Sequence, residues 1–211
     1  MAALEFLAWG LWAWLALYCL RTGQLWQRIR SHSSVQHLTL GFTVGLFLLW
    51  QLRAGIYDGL DLHFVALTVT TLVFGWRNAI VVASLVQLAI MAVGIEPWHS
   101  GGIMALLGIA APILLSFAIL TLSHNYLPRN LWIYIFIDGF LAGIACFVVR
   151  TLLLSLWFSG QYDWYIVQDN YLVLMPLFFF PEAMLNGFTT TLLVVHRPHW
   201  LATWQDTPDS L

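Results

Sequence analysis

Lysine is absent from this chain, and charged residues of every kind make up only 9% of its 211 residues. A soluble globular domain carries about 25% charged residues, whereas 61% of the residues here are hydrophobic. The composition therefore excludes an ordinary soluble protein and predicts an integral membrane protein. The formal net charge of −2 provides no basic face, so we expect no nucleic-acid partner.

Cysteines and catalytic motifs are scarce as well. Cys19 and Cys146 are the two cysteines, and both lie within apolar runs. We expect them to be small core residues rather than a disulfide or a metal site. The sequence has no nucleophile elbow, no phosphate-binding loop and no paired carboxylates at a recognisable spacing. We therefore expect no enzyme activity and no cofactor, apart from a bound divalent transition-metal ion.

Long apolar runs are what the chain does contain. A spanning helix needs roughly 20 mostly apolar residues, and seven runs approach that length. The first has acidic Glu5 and no positive segment or cleavage site, which indicates a retained helix rather than a signal peptide. We predict an all-α polytopic membrane helix bundle that forms a single domain over residues 1–211, in contact with membrane lipid. Its seven segments are Ala3–Leu20, Leu38–Ala54, Leu62–Trp76, Asn78–Gly94, Ile103–Leu122, Leu131–Phe158 and Tyr171–Val195. The third and fourth are short enough to be tilted or partly re-entrant.

The distribution of arginine predicts the orientation. Loops on one side are basic, and those on the other side carry carboxylates against a single arginine, Arg53. By the positive-inside rule the N-terminus is outside and the C-terminus is cytoplasmic, in what we expect to be a bacterial inner membrane. The basic side holds Arg21, Arg28, Arg30, Arg77, Arg129 and Arg197, and the acidic side holds Asp58, Asp61, Glu96 and Asp163.

Two histidines fall on the acidic side and are candidate metal ligands. His63 opens the third segment close to Asp58 and Asp61, and His99 lies in the next outer loop. Neutral imidazole is the commonest protein ligand for Zn, Ni, Co and Cu, so the pair could capture a divalent metal. The alternative is that His63 caps a helix and His99 is an ordinary loop residue, since no HxxxH or CxxC pattern is present.

A second group of polar residues lies inside the apolar runs. Asp138 and Arg150 share the sixth run, and Glu182 and Asn186 share one helix face of the seventh. Polar residues at this depth must face the bundle interior or a wet cavity. They could serve transport or binding, or Glu182 could form a structural ion pair with Arg150, and these roles are compatible.

Two stretches resemble a known family. His63–Ser116 opens with a histidine on a short helix, continues through an FG and a small-residue helix, and ends in a glycine-rich turn and a helix with proline and serine. Phe179–Trp200 contains the second stretch, FPEAMLNGFTTTLLVVHRPHW. Both are similar to the membrane permease of energy-coupling-factor cobalt and nickel importers, the CbiM-like family, of which this chain resembles a shorter branch.

The resemblance implies a substrate-specific membrane component that binds nickel or cobalt near the extracellular face. It also implies a second membrane subunit, for coupling, and cytoplasmic ATPases as partners. His63 matches the family's internal metal-binding histidine. Members with known metal sites begin Met-His and use the terminal amine and that histidine as ligands, whereas the second residue here is Ala2.

Two other functions also fit the sequence. The 12 tryptophans would suit an accessory subunit or assembly factor of a larger membrane complex. The face that carries Glu182 and Asn186 would suit a protein that binds a small molecule or a lipid.

Overall fold

Long apolar helices make up most of this computed structural model, which describes residues 2–57 and 60–204, apart from the side chain of Ala2. By length and composition, five helical stretches in the described part can cross a membrane: Ala3–Thr22, Leu67–Ala92, Trp98–Tyr126, Leu131–Phe158 and Trp164–His196. The prediction of an all-α membrane protein is confirmed at this level. The helices are α1 (Ala2–Thr22), α2 (Leu25–Ser31), α3 (Ser33–Leu49), α4 (Leu67–Ala92), α5 (Trp98–Tyr126), α6 (Leu131–Phe158), α7 (Trp164–Asn170) and α8 (Met175–His196).

A short antiparallel strand pair interrupts the helical pattern after α3. β1 (Arg53–Ala54) pairs with β2 (Leu62–His63), with Arg53 opposite His63. The second predicted segment extended to Ala54, but α3 ends at Leu49. Pairing with β2 satisfies backbone groups of β1 that a longer helix would otherwise have satisfied.

Gly75 divides α4 into two arms. Its φ of 72° and ψ of 156° are not helical. A straight helix of 26 residues would hold its ends about 39 Å apart. Yet Asp61, before α4, and Glu96, after it, both contact Nη1 of Arg53. The two arms therefore run in opposite directions, and α4 is a helical hairpin.

The first arm, residues 67–74, is a half-helix. The sequence predicted two short segments here, Leu62–Trp76 and Asn78–Gly94, and the chain does reverse direction between them. The helix begins only at Leu67, however, because Leu62–His63 belong to β2. The half-helix is roughly 12 Å long, less than half of a hydrocarbon core of about 30 Å, so it begins well inside the bundle.

Residues beyond α8 cover the carboxyl end of the half-helix. The backbone N–H of Ala202 donates to the carbonyl of Val73 at 3.0 Å. The hydroxyl of Thr203 donates to the carbonyl of Leu72 at 2.8 Å. Carbonyl groups at a helix end need such partners where water is excluded.

The bundle has two distinct ends. At one, which we call the Gly75 end, Gly75, Gly23, Arg77 and Ala202 surround a common pocket. At the other, the Glu96 end, Glu96 and His99 lie on a common cavity. Between the two ends α4 is the central element, because 78% of its most apolar stretch is buried, against 17% for α1.

We predict that Gly75→Ala destabilises the protein by about 1–3 kcal/mol, because its backbone conformation is one that essentially only glycine adopts. An added Cβ would meet no atom within 4 Å, so the loss reflects the backbone alone. Thermal unfolding in detergent measures it.

Gly45→Ala is the matched control. Gly45 lies inside α3, and a Cβ there also meets no atom within 4 Å. Alanine has the higher helix propensity, so this variant should be neutral or more stable. Equal unfolding temperatures for Gly75→Ala and the wild type would argue against the hairpin turn.

Candidate functional site

Arg53 holds together the carboxylates at the Glu96 end. Its Nη1 lies 2.7 Å from Oδ2 of Asp61 and 2.6 Å from Oε1 of Glu96. Its Nε donates to the carbonyl of Trp50 at 2.7 Å, and the side-chain amide of Gln87 donates to Glu96. One mostly buried guanidinium therefore pairs with both carboxylates and ties β1 to both sides of the α4 hairpin.

His63 lies opposite Arg53 and is only 2% exposed. Its Nδ1 is 2.9 Å from the carbonyl oxygen of Phe64, so we assign the ring hydrogen to Nδ1. Its Nε2 then accepts from Nη2 of Arg150 at 2.7 Å. The pKa of His63 lies well below its usual range, mainly because the ring is buried and secondly because the positive charges of Arg150 and Arg53 are nearby. The imidazole is therefore neutral, and both of its nitrogens have partners.

A cavity of about 380 Å³ lies at the Glu96 end. Arg150, 7% exposed, forms part of its wall from α6. His99 and Ser100 contribute from the start of α5, where glycines 101 and 102 let α1 approach closely. The ionisable side chains of the wall include Asp61, Glu96, His99 and Arg150, and its apolar side chains include Ile95, Met104, Leu154 and Phe158.

Glu182 and Asn186 cap the start of the half-helix from α8. The carboxylate of Glu182 accepts the backbone N–H groups of Val65 at 2.9 Å and Ala66 at 2.7 Å. Oδ1 of Asn186 accepts the N–H of Val69 at 2.9 Å, and its amide group donates to Oε1 of Glu182 at 2.8 Å. These groups satisfy N–H donors that the first turn of a helix leaves free, and a carboxylate is favoured at that end of the helix dipole.

Asp138 is separate from this group. Ser123 donates to its Oδ1 at 2.6 Å, and Nε2 of His124 lies 3.9 Å from its Oδ2. The neighbouring Tyr134 bonds to Thr203 at 2.7 Å, which places this part of α6 toward the Gly75 end. Asp138 thus connects α5 to α6 and does not line the cavity.

The structure brings together most of the residues that the sequence singled out. His63 contacts Arg150, Arg150 and His99 line one cavity, and the Glu182–Asn186 pair binds the chain just after His63. Glu182 and Arg150, both of which the structure describes, do not form the ion pair that the sequence left open, because no nitrogen of Arg150 lies within 4 Å of a Glu182 carboxylate oxygen. Glu182 instead binds backbone N–H groups, and Arg150 binds His63.

Neither histidine belongs to a ready-made metal cluster. In residues 2–57 and 60–204, no three or more His, Cys, Asp or Glu side chains are grouped so as to hold a metal ion. Asp58, which the sequence placed near His63, lies outside the described residues, as does Met1. The role of His63 and His99 as metal ligands stays a prediction.

Sequence reasoning missed the role of Arg53. The signal for this role is that Arg53 is the one arginine among the acidic loops, where a lone basic side chain has carboxylates as its available partners. The capping role of Glu182 had no such signal, because its partners are backbone groups more than 100 residues away.

The model of the CbiM family, described as the cobalt uptake substrate-specific transmembrane region, matches residues 3–200. The chain belongs to the CbiM family. This confirms the resemblance noted in the two shorter stretches and extends it over nearly the whole sequence. A CbiM-family chain is a transmembrane component of cobalt uptake. None of the curated proteins matches this sequence.

We predict that Glu182→Gln destabilises this CbiM-family chain by about 1–3 kcal/mol, because an amide NH₂ then faces a buried backbone N–H that has lost its acceptor. Thermal unfolding in detergent is the measurement. Glu5→Gln, on partly exposed α1, removes the same charge and should leave the unfolding temperature unchanged. If the two variants behaved alike, the carboxylate would not be the cap of the half-helix.

Proposed function

We propose that this chain is the substrate-specific membrane component of a transition-metal uptake transporter, with cobalt or nickel as its cargo. The observation that carries the proposal is the family match over residues 3–200. The cavity at the Glu96 end supports it, because the cavity combines an imidazole with carboxylates, and both are ligand types for divalent metals. The chain itself binds the cargo and performs no chemical reaction.

The proposed orientation places the Gly75 end in the cytoplasm of a bacterial cell. Arg21, Arg28 and Arg77 lie at or next to that end, as the positive-inside rule requires. The cavity then opens to the outside, the N-terminus is outside and the C-terminus is cytoplasmic. Counting α1, α3, the two arms of α4, α5, α6 and the stretch from α7 to α8 gives seven segments.

The proposed partners are lipid, a transmembrane coupling subunit and cytoplasmic ATPases. Large apolar side chains remain exposed on the outer helices, among them Phe6 and Trp14 of α1 and Leu40 of α3. Faces of this kind are compatible with lipid and with a second membrane subunit. The ATPases would supply the energy, since nothing in the sequence of this chain is typical of nucleotide binding.

We propose His99 and His63 as the histidines that meet the cargo. His99 already lines the cavity. His63 has its Nε2 engaged by Arg150, so it can bind a metal only after the guanidinium moves away from that nitrogen.

Cobalt accumulation tests the proposed function. Cells without a cobalt importer of their own would express this chain together with the coupling subunit and ATPases of its source genome. We expect ATPase-dependent accumulation of radioactive cobalt, abolished when the ATPase cannot hydrolyse ATP. Accumulation equal to that of cells lacking this chain, with all subunits present in the membrane, would refute the proposal.

We further predict that His99→Ala weakens cargo capture by about tenfold or more, because losing even an outer-shell partner costs roughly 10–100-fold in metal affinity. The readout is the cobalt concentration at half-maximal uptake. His37→Ala is the matched control, because His37 is an exposed residue of α3 away from the cavity. An equal effect of both substitutions would remove His99 from the site.

A further inference from the structure

An apolar groove of about 810 Å³ lies between α1 and the second arm of α4, residues 76–92. Only three side chains of its wall carry a polar atom, those of Trp12, Trp26 and Ser84. Two of them satisfy each other, because Nε1 of Trp12 donates to the hydroxyl of Ser84 at 3.1 Å. The wall therefore suits a hydrocarbon occupant, which needs no hydrogen bonds.

Close backbone contacts hold α1 against the bundle at both ends of this groove. Gly102 of α5 lies against the backbone of Trp9, where a Cβ on the glycine would meet it. Gly23, just after α1, lies against the side chain of Asn78 in the same way. Between these contacts α1 presents Ala16 to the groove, and its short side chain leaves space beside α4. The groove is thus part of the packing of α1 and not a gap beside a loose helix.

The length of the groove matches one leaflet of a membrane. Its wall extends from Trp12 to Leu20 on α1, about 12 Å along the axis, and from Val81 to Leu88 on α4, about 11 Å. One leaflet supplies about half of a hydrocarbon core of roughly 30 Å. A lipid chain stays within one leaflet, whereas the spanning helix of a partner passes through both. The dimensions therefore favour a lipid over a helix.

Two arginines border the groove at the Gly75 end. Arg21 directly follows the wall residue Leu20, and Cζ of Arg30 lies 4.6 Å from the ring centre of the wall residue Trp26. Both arginines are exposed. Residues 6–57 contain no Asp or Glu, and in the described part of the chain no carboxylate lies within 4 Å of either guanidinium. Their positive charges are thus left for a partner from outside the chain.

A phosphate group is the complementary partner for these arginines. The position of Arg30 over an indole ring is an attractive cation–π contact, which holds the guanidinium at the mouth of the groove. Guanidinium N–H groups bind phosphate oxygens in a fork. Arginines next to a spanning helix also attract anionic lipid headgroups. The groove and its basic border together require a hydrocarbon chain and a negative charge.

We propose that the groove binds one anionic phospholipid, with an acyl chain between α1 and α4 and its phosphate on Arg30 and Arg21. Such a lipid carries the chain and the charge in one molecule. It fills the space beside α1, whose most apolar stretch is only 17% buried within the protein, and so stabilises the attachment of this helix. The site goes beyond metal uptake and does not depend on it.

Native mass spectrometry of the purified chain in mild detergent tests the proposal. The probes are phosphatidylglycerol and phosphatidylcholine with identical acyl chains, added after removal of bound lipid. We expect one phosphatidylglycerol per chain at concentrations where phosphatidylcholine is not retained, together with a rise in the unfolding temperature. Equal retention of the two lipids would overturn the proposal.

Arginine variants assign the headgroup contact. Arg30→Gln and Arg21→Gln should each weaken the binding of phosphatidylglycerol by about fivefold, the contribution expected of one arginine near an anionic lipid. Arg197→Gln is the matched control. Arg197 is an exposed arginine just beyond α8 that also lies over a tryptophan, Trp200, at 5.8 Å, but it is not part of the groove wall. Unchanged binding in both Arg30→Gln and Arg21→Gln would overturn the headgroup contact.

Filling the groove assigns the acyl chain. Ala16→Phe places a large side chain in the groove and should reduce retention of phosphatidylglycerol, whereas Ala3→Phe makes the same change at an exposed position of α1 away from the wall. Equal retention by the two variants would place the acyl chain elsewhere. Unfolding temperatures verify that each variant is folded, and the lipid comparison and the arginine variants decide the proposal if Ala16→Phe is not.

Photocrosslinking in the complete transporter identifies the occupant in a membrane. Leu17 is a wall residue with an exposed side chain, so Leu17→benzoylphenylalanine reports what lies in the groove. A mass increase equal to one phosphatidylglycerol supports the proposal. A crosslink to the coupling subunit, or to a second copy of this chain, would overturn a lipid as the occupant.

Discussion

The contact between the Glu182 carboxylate and the backbone N–H groups of Val65 and Ala66 determines where the half-helix begins. Ala66 has a φ of 51°, a left-handed conformation that costs a non-glycine residue roughly 1–2 kcal/mol. In an apolar interior no water is available to those N–H groups, so the carboxylate is what makes a helix start possible at this depth. His63 lies only a few residues earlier, and its depth is fixed by the same contact. The approach of Arg150 to His63, and with it one wall of the cavity, depends on this buried cap.

The hairpin at Gly75 supplies the second constraint. Because the chain reverses there, Asp61 and Glu96 return to the same end of the bundle, where Arg53 can bind both. Arg53 also belongs to β1, so a single side chain joins the strand pair, the half-helix and the start of α5. The cavity is thus built from segments far apart in sequence. Its two carboxylates are paired internally, whereas buried N–H groups of both Arg53 and Arg150 have no acceptor among the described residues.

Composition and charge predicted the class of protein, and the apolar runs located most helices. The reversal between Leu62–Trp76 and Asn78–Gly94 was also predictable, since a glycine and an arginine separate two runs that are each too short for a comfortable span. The strand pair was not, because two paired residues leave no periodic signal and Arg53 and Ala54 continue an apolar run. The sequence singled out Glu182 and Arg150 for their depth, which is expensive for a charge. It could not reveal their partners, because a carboxylate that binds backbone N–H groups and one that binds an arginine look alike in sequence.

The bonds from Ala202 and Thr203 to the half-helix and the Glu182 cap at its other end together couple the motion of the half-helix to that of α8. α8 holds the half-helix near its first turn through Glu182, and the residues just beyond α8 hold its last carbonyls. α8 and the residues just beyond it therefore contact the half-helix at both of its ends. A displacement of α8 at the Gly75 end would be transmitted through these contacts to the residues beside His63. These contacts connect the Gly75 end, where the proposed coupling partners would bind, to the cavity wall at the Glu96 end.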